Sequence, residues 1–246
     1  MPWRVNRTPY RVFVSEIMLQ QTSVARVLPR YSAFLRAFPS FRQLAAAGIQ
    51  EVIGVWKGLG YNRRALALHE SARRISAAFH GRLPRTVEEL VNLPGVGHAT
   101  ASAVIVYTFN EPLVFIETNI RRVFIHHFFP DQENVPDALI EPMVEKTLDR
   151  ENPREWYYAL MDYGTALSGG TRNPNRRSSG YRVQSRFEGS LRQLRGRILS
   201  VMIARKSASL GQIETDLGSD TRLPRALGQL REEGFLRVSA GRYSFR

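Results

Sequence analysis

The chain has 246 residues and carries 35 lysine and arginine residues against 22 aspartate and glutamate residues, a formal net charge of +13. So large a basic excess favours a polyanionic partner. Because no apolar run approaches the roughly 20 residues that span a bilayer, we predict nucleic acid rather than a membrane. The complete absence of cysteine excludes disulfides, thiolate chemistry and any cysteine-ligated metal, and no histidine spacing predicts a metal site.

The first long segment, residues 9–38, is predicted to be helical because its apolar residues recur about every 3.6 positions. Within it, Glu16 would have mainly apolar neighbours three and four positions away, among them Val12, Phe13 and Leu19. A carboxyl group in such surroundings is partly desolvated, which raises its pKa toward neutrality and equips it to donate a proton. A helix rotated differently would leave Glu16 on the surface, and periodicity alone does not decide between the two.

Two glycine-containing loops interrupt the helices that follow. The loop Gly58-Leu59-Gly60-Tyr61 lies between helices predicted over 44–55 and 63–79, and its backbone can approach a ligand closely. The second loop, Leu93-Pro94-Gly95-Val96-Gly97, is a tight hairpin that leaves the amides of the next helix uncovered. These amides carry about half a positive charge from the helix dipole, so the turn is suited to bind a phosphate. An ordinary packing corner between two helices would have the same pattern.

Glu117 lies in an extended segment, residues 114–120, that leads into another predicted helix. At or just before a helix N-terminus the dipole favours the ionised carboxylate, so we predict a lowered pKa for Glu117. Simple capping of the helix is the alternative. With Glu16, whose pKa is predicted to rise, Glu117 forms a pair of carboxyl groups with opposite shifts, a pattern typical of an acid and a charge-stabilising partner.

A basic segment follows two more helices, predicted over 137–148 and 153–167. No acidic residue occurs between Asp162 and Glu188, and the stretch is rich in glycine, serine, asparagine and arginine. We therefore predict a basic linker or DNA-contacting loop over residues 169–190 that becomes ordered only on nucleic acid. Its candidate contact residues are Arg172, Arg176 and Arg177.

The C-terminal part, residues 191–246, has the pattern of a separate winged-helix-like domain. Three helices are predicted, over 191–204, 209–217 and 221–233, followed by a hairpin over 235–245. In that plan, 221–233 is the recognition-type helix. Modules of this kind bind either DNA or protein, and the pattern favours neither decisively.

Six segments occur in one order along the chain: Pro2-Trp3-Arg4, Ser15 to Thr22, Gly58 to Tyr61, Leu93 to Gly97, Glu117-Thr118-Asn119 and Met161-Asp162-Tyr163-Gly164. From about Met1 to Gly164 the chain thereby resembles the helix–hairpin–helix DNA glycosylases, and among them the MutY-type adenine glycosylases related to endonuclease III. The resemblance implies an all-α, two-lobed helix–hairpin–helix glycosylase fold over residues 1–168. The linker and the small winged-helix-like domain would follow it.

The resemblance also implies a role for each candidate residue. Glu16 matches the glutamate that protonates the departing base and positions water. Glu117 falls where the family has an aspartate that stabilises the oxocarbenium-like sugar, and Asn119 matches its supporting asparagine. Gln21 and Tyr61 would enter the base stack, and Thr22 and Leu59 would lie near the opposite base. The full set of implied DNA contacts is Gln20, Gln21, Thr22, Leu59, Gly60, Tyr61, Gly95, Val96, Gly97 and Thr100, and the base pocket would be lined by Trp3, Arg4 and Tyr158.

Departures from the family pattern narrow the expected chemistry. Ala99 stands where bifunctional relatives place a Schiff-base lysine, so we predict a monofunctional glycosylase. The family's four-cysteine iron–sulfur site is absent, so we expect no cofactor and no bound metal, and the sequence leaves open whether hairpin carbonyls hold a monovalent cation. Tyr158 replaces a glutamate or glutamine that faces the base, and Glu117 is one methylene longer than the usual aspartate.

The sequence therefore predicts an enzyme of base excision repair that removes adenine opposite 8-oxoguanine or guanine. One alternative is a uracil, thymine or hypoxanthine mismatch glycosylase of the same fold, and another is a non-catalytic DNA-binding protein. The glutamate at position 16 argues against the last, because binding alone needs no carboxylate facing phosphates. The expected partner is double-stranded DNA with a lesion or mismatch and not a membrane, and we expect a monomeric, cytoplasmic and nucleoid-associated protein.

Overall fold

The computed structural model describes residues 1–169 and 172–246. Within these ranges the helices are α1 (Pro2–Val5), α2 (Pro9–Leu19), α3 (Val24–Ala37), α4 (Phe41–Ala46), α5 (Ile49–Trp56), α6 (Arg63–Ala78), α7 (Val87–Leu90), α8 (His98–Phe109), α9 (Thr118–Phe128), α10 (Asp137–Thr147), α11 (Pro153–Leu167), α12 (Leu191–Arg205), α13 (Leu210–Leu217) and α14 (Leu223–Glu232). The strands are β1 (Ser207–Ser209), β2 (Leu236–Ser239) and β3 (Arg242–Phe245), and a 3-10 turn spans Pro174–Arg177. None of the helices described is long and apolar enough to cross a membrane.

Two apolar clusters divide the helices into two lobes, which confirms the predicted all-α, two-lobed architecture. One cluster holds the helices from α1 to α8 together with the C-terminal module, and the other holds α9, α10 and α11. Helices α2 and α8 contribute to both: Ile17 and Val104 pack in the first cluster, and Val12 and Tyr107 in the second. Side chains on α2 and α8 therefore stand at the junction of the lobes.

The helix predicted over residues 9–38 is two helices, α2 and α3, and the prediction of one continuous helix is wrong. The chain leaves α2 at Gln20, takes a left-handed conformation at Gln21 (φ 52°), and re-enters a helix at Val24. The guanidinium of Arg64 caps the end of α2 and so stabilises this break. It donates hydrogen bonds to the carbonyl oxygens of Ile17 (3.0 Å) and Met18 (2.7 Å).

The basic segment after α11 packs against α9, so the prediction that it is ordered only on nucleic acid is wrong for residues 173–181. Pro174 and Asn175 are buried, and the side-chain amide of Asn175 donates a hydrogen bond to the carbonyl oxygen of Thr118 (2.8 Å). Ser178 forms a parallel bridge with Val135. Gly170 and Thr171, which belong to the same predicted loop, lie outside the described residues.

The C-terminal module has the three predicted helices, and its sheet has three strands rather than the predicted two. Lys206 adopts a left-handed conformation (φ 62°) that ends α12 and directs the chain into β1. Strand β1 pairs antiparallel with β3, which also pairs with β2, giving the order β1-β3-β2. Helix α12 packs on α5, where the side-chain amide of Gln50 donates to the carbonyl oxygen of Ile203 (3.1 Å). The predicted domain boundaries at 168/169 and 190/191 remain predictions.

Candidate active site

A cleft of about 2110 Å³ opens between the lobes and brings the predicted catalytic and pocket residues together. At one end it is lined by Trp3, Arg4, Glu16, Glu117, Asn119 and Tyr158. These residues come from α1, α2, α9 with its N-cap, and α11, so four separate parts of the chain converge on one site. Such a concave junction between lobes is a common position for a binding site.

Glu16 lies on α2 with its carboxyl group at the inner end of the cleft. The pKa of Glu16 is raised to about 8, first by burial and then by the negative charge of Glu117, while the positive charge of Arg4 opposes the shift. No protein hydrogen bond from the described residues stabilises its ionised form. The direction agrees with the prediction from the apolar neighbours on α2. A glutamic acid with this pKa is protonated at neutral pH and can donate its proton.

Glu117 is the N-cap of α9, as predicted, and its carboxylate accepts hydrogen bonds from the backbone amides of Asn119 (2.6 Å) and Ile120 (3.2 Å). The predicted lowering of its pKa is wrong, because burial raises the pKa of Glu117 more than the two amides and the charges of Arg121 and Arg122 lower it. Within residues 1–169 and 172–246, no backbone amide or side chain donates a comparable hydrogen bond to Glu16. The first proton taken up by the pair therefore belongs to Glu16, and Glu117 is the member better equipped to stay ionised.

Asn119 is held in place by a network that extends into the basic segment. Its side-chain carbonyl oxygen accepts a hydrogen bond from Nη1 of Arg122 (2.6 Å), and its amide nitrogen lies 3.8 Å from the sulfur of Met161. Arg122 is buried and also donates through Nε to the side-chain oxygen of Asn173 (3.0 Å). The segment after α11 thus supports the site indirectly, because Asn173 holds Arg122 and Arg122 holds Asn119.

Gly164 allows α11 to approach α9 at Asn119. A Cβ atom built at Gly164 would meet the carbonyl oxygen of Asn119 and would lie 2.7 Å from its Cβ. Only a residue without a side chain fits there, because the atoms in the way belong to the backbone and to the first side-chain atom.

Gly164→Ala is accordingly expected to lower the free energy of unfolding by more than about 2 kcal/mol, since α9 and α11 must separate to admit the methyl group. Urea unfolding measures the change. Gly54→Ala is the matched control, because a Cβ atom at Gly54, which is also helical, meets nothing within 4 Å. That variant should gain about 0.5–1 kcal/mol. Equal effects of the two substitutions would contradict the close packing.

The wall of the pocket is aromatic, with a guanidinium across it. The guanidinium carbon of Arg4 lies 4.4 Å from the ring centroid of Tyr158, and Arg4 also makes two hydrogen bonds of 2.8 Å to the carboxylate of Asp162. Tyr158 stacks on Tyr107 with ring centroids 4.8 Å apart. Trp3 is buried edge-on against Tyr31. Flat, fixed surfaces of this kind suit a planar heterocycle.

Tyr107 is a pocket residue that the sequence did not predict. It is buried on α8 and lines the cleft, and its hydroxyl group has no hydrogen-bond partner among the described residues. In the sequence it follows a run of small apolar residues, so it is indistinguishable from a core aromatic. A hydrogen bond from or to a bound base would satisfy this hydroxyl group.

Beyond the pocket, the cleft is lined by the two segments that carry the residues predicted to enter the base stack, Gln21-Thr22 and Gly60-Tyr61, here called the stack-entering segments. Gln21 is exposed, and the hydroxyl group of Thr22 accepts a hydrogen bond from Nη2 of Arg64 (2.8 Å). Gly60 is exposed with φ 74°, and Tyr61 is half-buried with its hydroxyl group turned inward. The backbone of both segments therefore faces the cleft, whereas the ring of Tyr61 must rotate outward to enter a base stack.

Two predicted DNA contacts are wrong for the side chains concerned. Leu59 is fully buried in the core, so its side chain cannot reach an opposite base. Val96 is buried as well, and its amide donates to the carbonyl oxygen of Leu93 (3.2 Å), so neither its side chain nor its N–H group is available. Gln20 uses its side-chain amide to join Gly95 (3.1 Å) and Thr100 (3.2 Å), which ties the end of α2 to the hairpin.

The hairpin keeps the features expected of a phosphate site at Gly95 and Gly97. Gly95 needs to be glycine on two counts, because its φ is 75° and a Cβ atom there would lie 2.8 Å from Cβ of Ala67. Gly97 has an ordinary φ of −94° and caps α8 without a side-chain hydrogen bond to the first turn. The question of a monovalent cation at the hairpin stays open; the carbonyl oxygens of Pro94 and Gly95 already accept hydrogen bonds from Ser71 and Gln20.

The three predicted arginine contacts of the basic segment lie outside the cleft and differ in availability. Arg172 and Arg176 are exposed. Arg177 is half-buried and donates through Nη2 to the carbonyl oxygen of Ile125 (3.2 Å) at the end of α9. Its side chain therefore stabilises the segment, and only Arg172 and Arg176 keep the role of predicted contacts with DNA.

Arg64 is the most heavily bonded residue of the site that the sequence did not predict. Besides Ile17, Met18 and Thr22 it donates to the carbonyl oxygens of Gln20 and Gly60, so one guanidinium joins both stack-entering segments to the end of α2. Burial lowers the pKa of Arg64 to about 10, and no carboxylate contributes to that pKa. No local pattern distinguishes Arg64 from its neighbour Arg63, so this role could not be predicted.

Arg64→Met is expected to lower the free energy of unfolding by about 2–4 kcal/mol, because the substitution leaves several buried carbonyl oxygens without donors. For the glycosylase activity that the sequence predicts, the same variant should release base slowly even at saturating DNA, since both segments lose their common anchor. Chemical denaturation and single-turnover kinetics measure the two effects. Arg73→Met, an exposed position on the same helix, is the control and should leave both unchanged.

Comparison with known proteins fits this geometry. A model of the HhH-GPD superfamily of base excision DNA repair proteins matches residues 14–146, more than half of the chain. The chain belongs to the HhH-GPD superfamily. The matched residues include Glu16, the hairpin and Glu117, and thus the parts of the site contributed by α2, α8 and α9.

Adenine DNA glycosylases are among the curated relatives of this superfamily member. That of Mycolicibacterium smegmatis is 33% identical over 266 residues, covering 99% of this chain and 90% of the relative. The human enzyme is 39% identical over 68% of this chain and 33% of its own length. The chain spans about half the length, 48%, of the relative from Buchnera aphidicola subsp. Baizongia pistaciae, with 33% identity.

Solved structures with the same HhH-GPD fold include a thermostable thymine-DNA glycosylase, with a TM-score of 0.61 and 24% identity over 71% of this chain and 82% of that chain. An endonuclease III–DNA complex gives a TM-score of 0.59 at 19% identity, covering 68% of this chain and 78% of that chain. These likenesses show the fold.

Proposed function

We propose that the protein is a DNA glycosylase that hydrolyses the N-glycosidic bond of adenine mispaired with 8-oxoguanine or guanine. The observation that carries the proposal is the pair of carboxyl groups at the end of an aromatic pocket. Glu16 has a pKa raised to about 8, and Glu117 accepts two backbone hydrogen bonds. The similarity to an adenine DNA glycosylase along 99% of the chain supports the choice of base.

In the proposed reaction the target nucleotide leaves the duplex, at a cost of a few kcal/mol, and its base enters the pocket beside Tyr158 and Arg4. Glu16 donates its proton to a ring nitrogen of the base, which makes the base a better leaving group. As the glycosidic bond breaks, the sugar becomes positively charged, and the carboxylate of Glu117 stabilises that charge. Glu16, now ionised, accepts a proton from the water that attacks the sugar.

We propose further that the enzyme is monofunctional. Ala99 is exposed on the cleft wall where a Schiff-base lysine would have to stand, and Lys57 is the one lysine among the described residues that line the cleft. Borohydride treatment during the reaction is expected to leave no covalent protein–DNA adduct. A trapped adduct would contradict the monofunctional assignment.

A second candidate keeps the enzyme class and changes the base to uracil, thymine or hypoxanthine. Tyr158 favours it, because a stacked tyrosine beneath Arg4 offers a flat surface and less specific hydrogen bonding than a glutamate or glutamine. A single-turnover panel with A:8-oxoguanine, A:G, U:G, T:G and hypoxanthine:T duplexes decides between them, alkali revealing the abasic sites. Adenine release in the first two duplexes supports the main proposal, and release confined to the other three supports the second. No release from any duplex would leave the DNA-binding alternative.

We propose that the protein acts as a monomer and binds double-stranded DNA that contains a lesion or mismatch. Its net charge of +13 suits a nucleoid-associated protein of the cytoplasm. We propose that no iron–sulfur cluster is needed. The chain contains no cysteine, and the segment after α11 is held by hydrogen bonds of Asn173 and Asn175 instead. The monovalent cation at the hairpin stays an open proposal.

A further inference from the structure

The C-terminal module supplies a second wall to the cleft, and it does so through α12. Six α12 residues line the cleft at positions spaced by three or four, which places them on one face of the helix: Arg192, Arg195, Gly196, Leu199, Ser200 and Ile203. Helix α14, the recognition-type helix of a winged-helix plan, contributes Leu230. The face that the module turns to the cleft is therefore not the one that the winged-helix pattern predicts.

The charges along the cleft are segregated. Of the described residues that line it, the acidic ones are Glu16, Glu117 and Asp162, and all three lie at the pocket end. The rest of the charged lining is basic and includes Arg26, Lys57 and Arg63 as well as the two arginines of α12, with Glu233, outside the lining, paired with Arg63 and Arg195. A long basic trough that continues from a base pocket is complementary to a nucleic acid backbone.

The α12 face is also held rigidly and is shallow at its centre. Arg195 donates through Nη1 to Glu233 (2.9 Å), and Arg192 donates through Nη2 to the carbonyl oxygen of Ser185 (2.7 Å), so both side chains are fixed before any ligand arrives. Directly after Arg195 and one turn beyond Arg192, a Cβ atom built at Gly196 would meet nothing within 4 Å. This open position beside two anchored arginines leaves room for a phosphate backbone to come close to the helix.

We propose that the α12 face binds the backbone of duplex DNA next to the extruded nucleotide, and that α14 does not. The inference rests on the proposed glycosylase function for the orientation of the duplex, with the extruded base at the Glu16 end. It makes the C-terminal module part of the DNA-binding cleft, rather than a docking module for another protein. Arg192 is the residue expected to contact a phosphate directly, since no carboxylate pairs with it among the described residues.

Two glycine substitutions, one on each helix, distinguish the contributions of α12 and α14 to DNA binding. Gly196→Phe places a ring in the cleft, and Gly228→Phe places the same ring on α14, where a Cβ atom likewise meets nothing within 4 Å. Affinity is measured by fluorescence anisotropy on a duplex containing a tetrahydrofuran abasic analogue, which cannot be cleaved by base release. We expect Gly196→Phe to weaken binding by about tenfold or more and Gly228→Phe to leave it within about twofold, because a blocked trough loses phosphate contacts.

A milder variant covers the case in which Gly196→Phe fails to fold. Arg192→Gln should reduce the slope of log Kd against log salt by about one, the value for one phosphate contact. Unchanged affinity of a folded Gly196→Phe, an unchanged salt slope of Arg192→Gln, or weakening by Gly228→Phe equal to that of Gly196→Phe would overturn the inference. Base release by the parent protein is scored separately, so a failure of the proposed function and a failure of the α12 surface give different results.

Discussion

Glu16→Gln is expected to reduce single-turnover base release by roughly 10²- to 10⁴-fold, the range typical of losing a positioned general acid. Glutamine keeps the shape of the protonated glutamic acid and cannot transfer its proton to the base. DNA affinity should be unchanged or higher, because the substitution removes a group whose ionised form repels phosphates. Rates on an A:8-oxoguanine duplex and anisotropy on the uncleavable duplex measure the two quantities.

The same variant should differ from the parent in how its stability depends on pH. The folded-state pKa of Glu16, about 8, lies above its unfolded value of 4.5, so the parent loses stability as pH rises from about 4.5 through 8. Glu16→Gln has no such group and should be more stable than the parent at pH 9, by a few kcal/mol at most since the carboxyl group opens onto the cleft. Glu111→Gln, at an exposed site, is the control and should change neither rate nor stability. A rate of Glu16→Gln equal to that of the parent would show that Glu16 is not the proton donor.

Glu117→Gln is expected to lower the rate of base release by roughly 10²- to 10³-fold while leaving the fold intact. The side-chain oxygen of glutamine can still accept the amide hydrogen bonds of Asn119 and Ile120, so the cap of α9 survives. What is lost is the negative charge that faces the sugar as the glycosidic bond breaks. Single-turnover rates and thermal unfolding separate the electrostatic role from the structural one.

Glu117→Ala provides the comparison, since it removes both the charge and the cap. It should lose the same factor in rate and, in addition, about 1 kcal/mol of stability. Glu88→Gln, which changes an exposed acid in the first turn of α7, is expected to have no effect on rate. If Glu117→Gln kept the parent's rate while Glu117→Ala lost stability, Glu117 would be a helix cap and nothing more.

The elements that local sequence determines could be predicted, and those that depend on distant contacts could not. The neighbours of Glu16 along α2 predict its raised pKa for a helix that faces inward, which the structure shows, and the position of Glu117 before a helix predicts its capping hydrogen bonds. The sign of the shift at Glu117 depends on burial between the lobes, which no local pattern reveals. Prediction from a helix end alone was therefore right about the geometry and wrong about the net pKa.

Long-range contacts also explain the residues that were missed or misassigned. Arg64 caps α2 from a helix more than 40 positions away in the chain, so its role cannot be seen in the residues around it. Leu59 stands in a glycine loop typical of ligand contact, yet its side chain fills the core. The ordering of residues 173–181 depends on Asn173 and Asn175 meeting α9, which composition alone does not predict.

The central claim, a neutral Glu16 that protonates the base, is tested most directly by the pH dependence of single-turnover adenine release from an A:8-oxoguanine duplex. The predicted rate is level below about pH 8 and falls as pH rises through that value, because ionisation of Glu16 removes the proton to be donated. The residual rate of Glu16→Gln should lack this fall. A parent rate that rises through pH 8, or that Glu16→Gln leaves unchanged, would contradict the account.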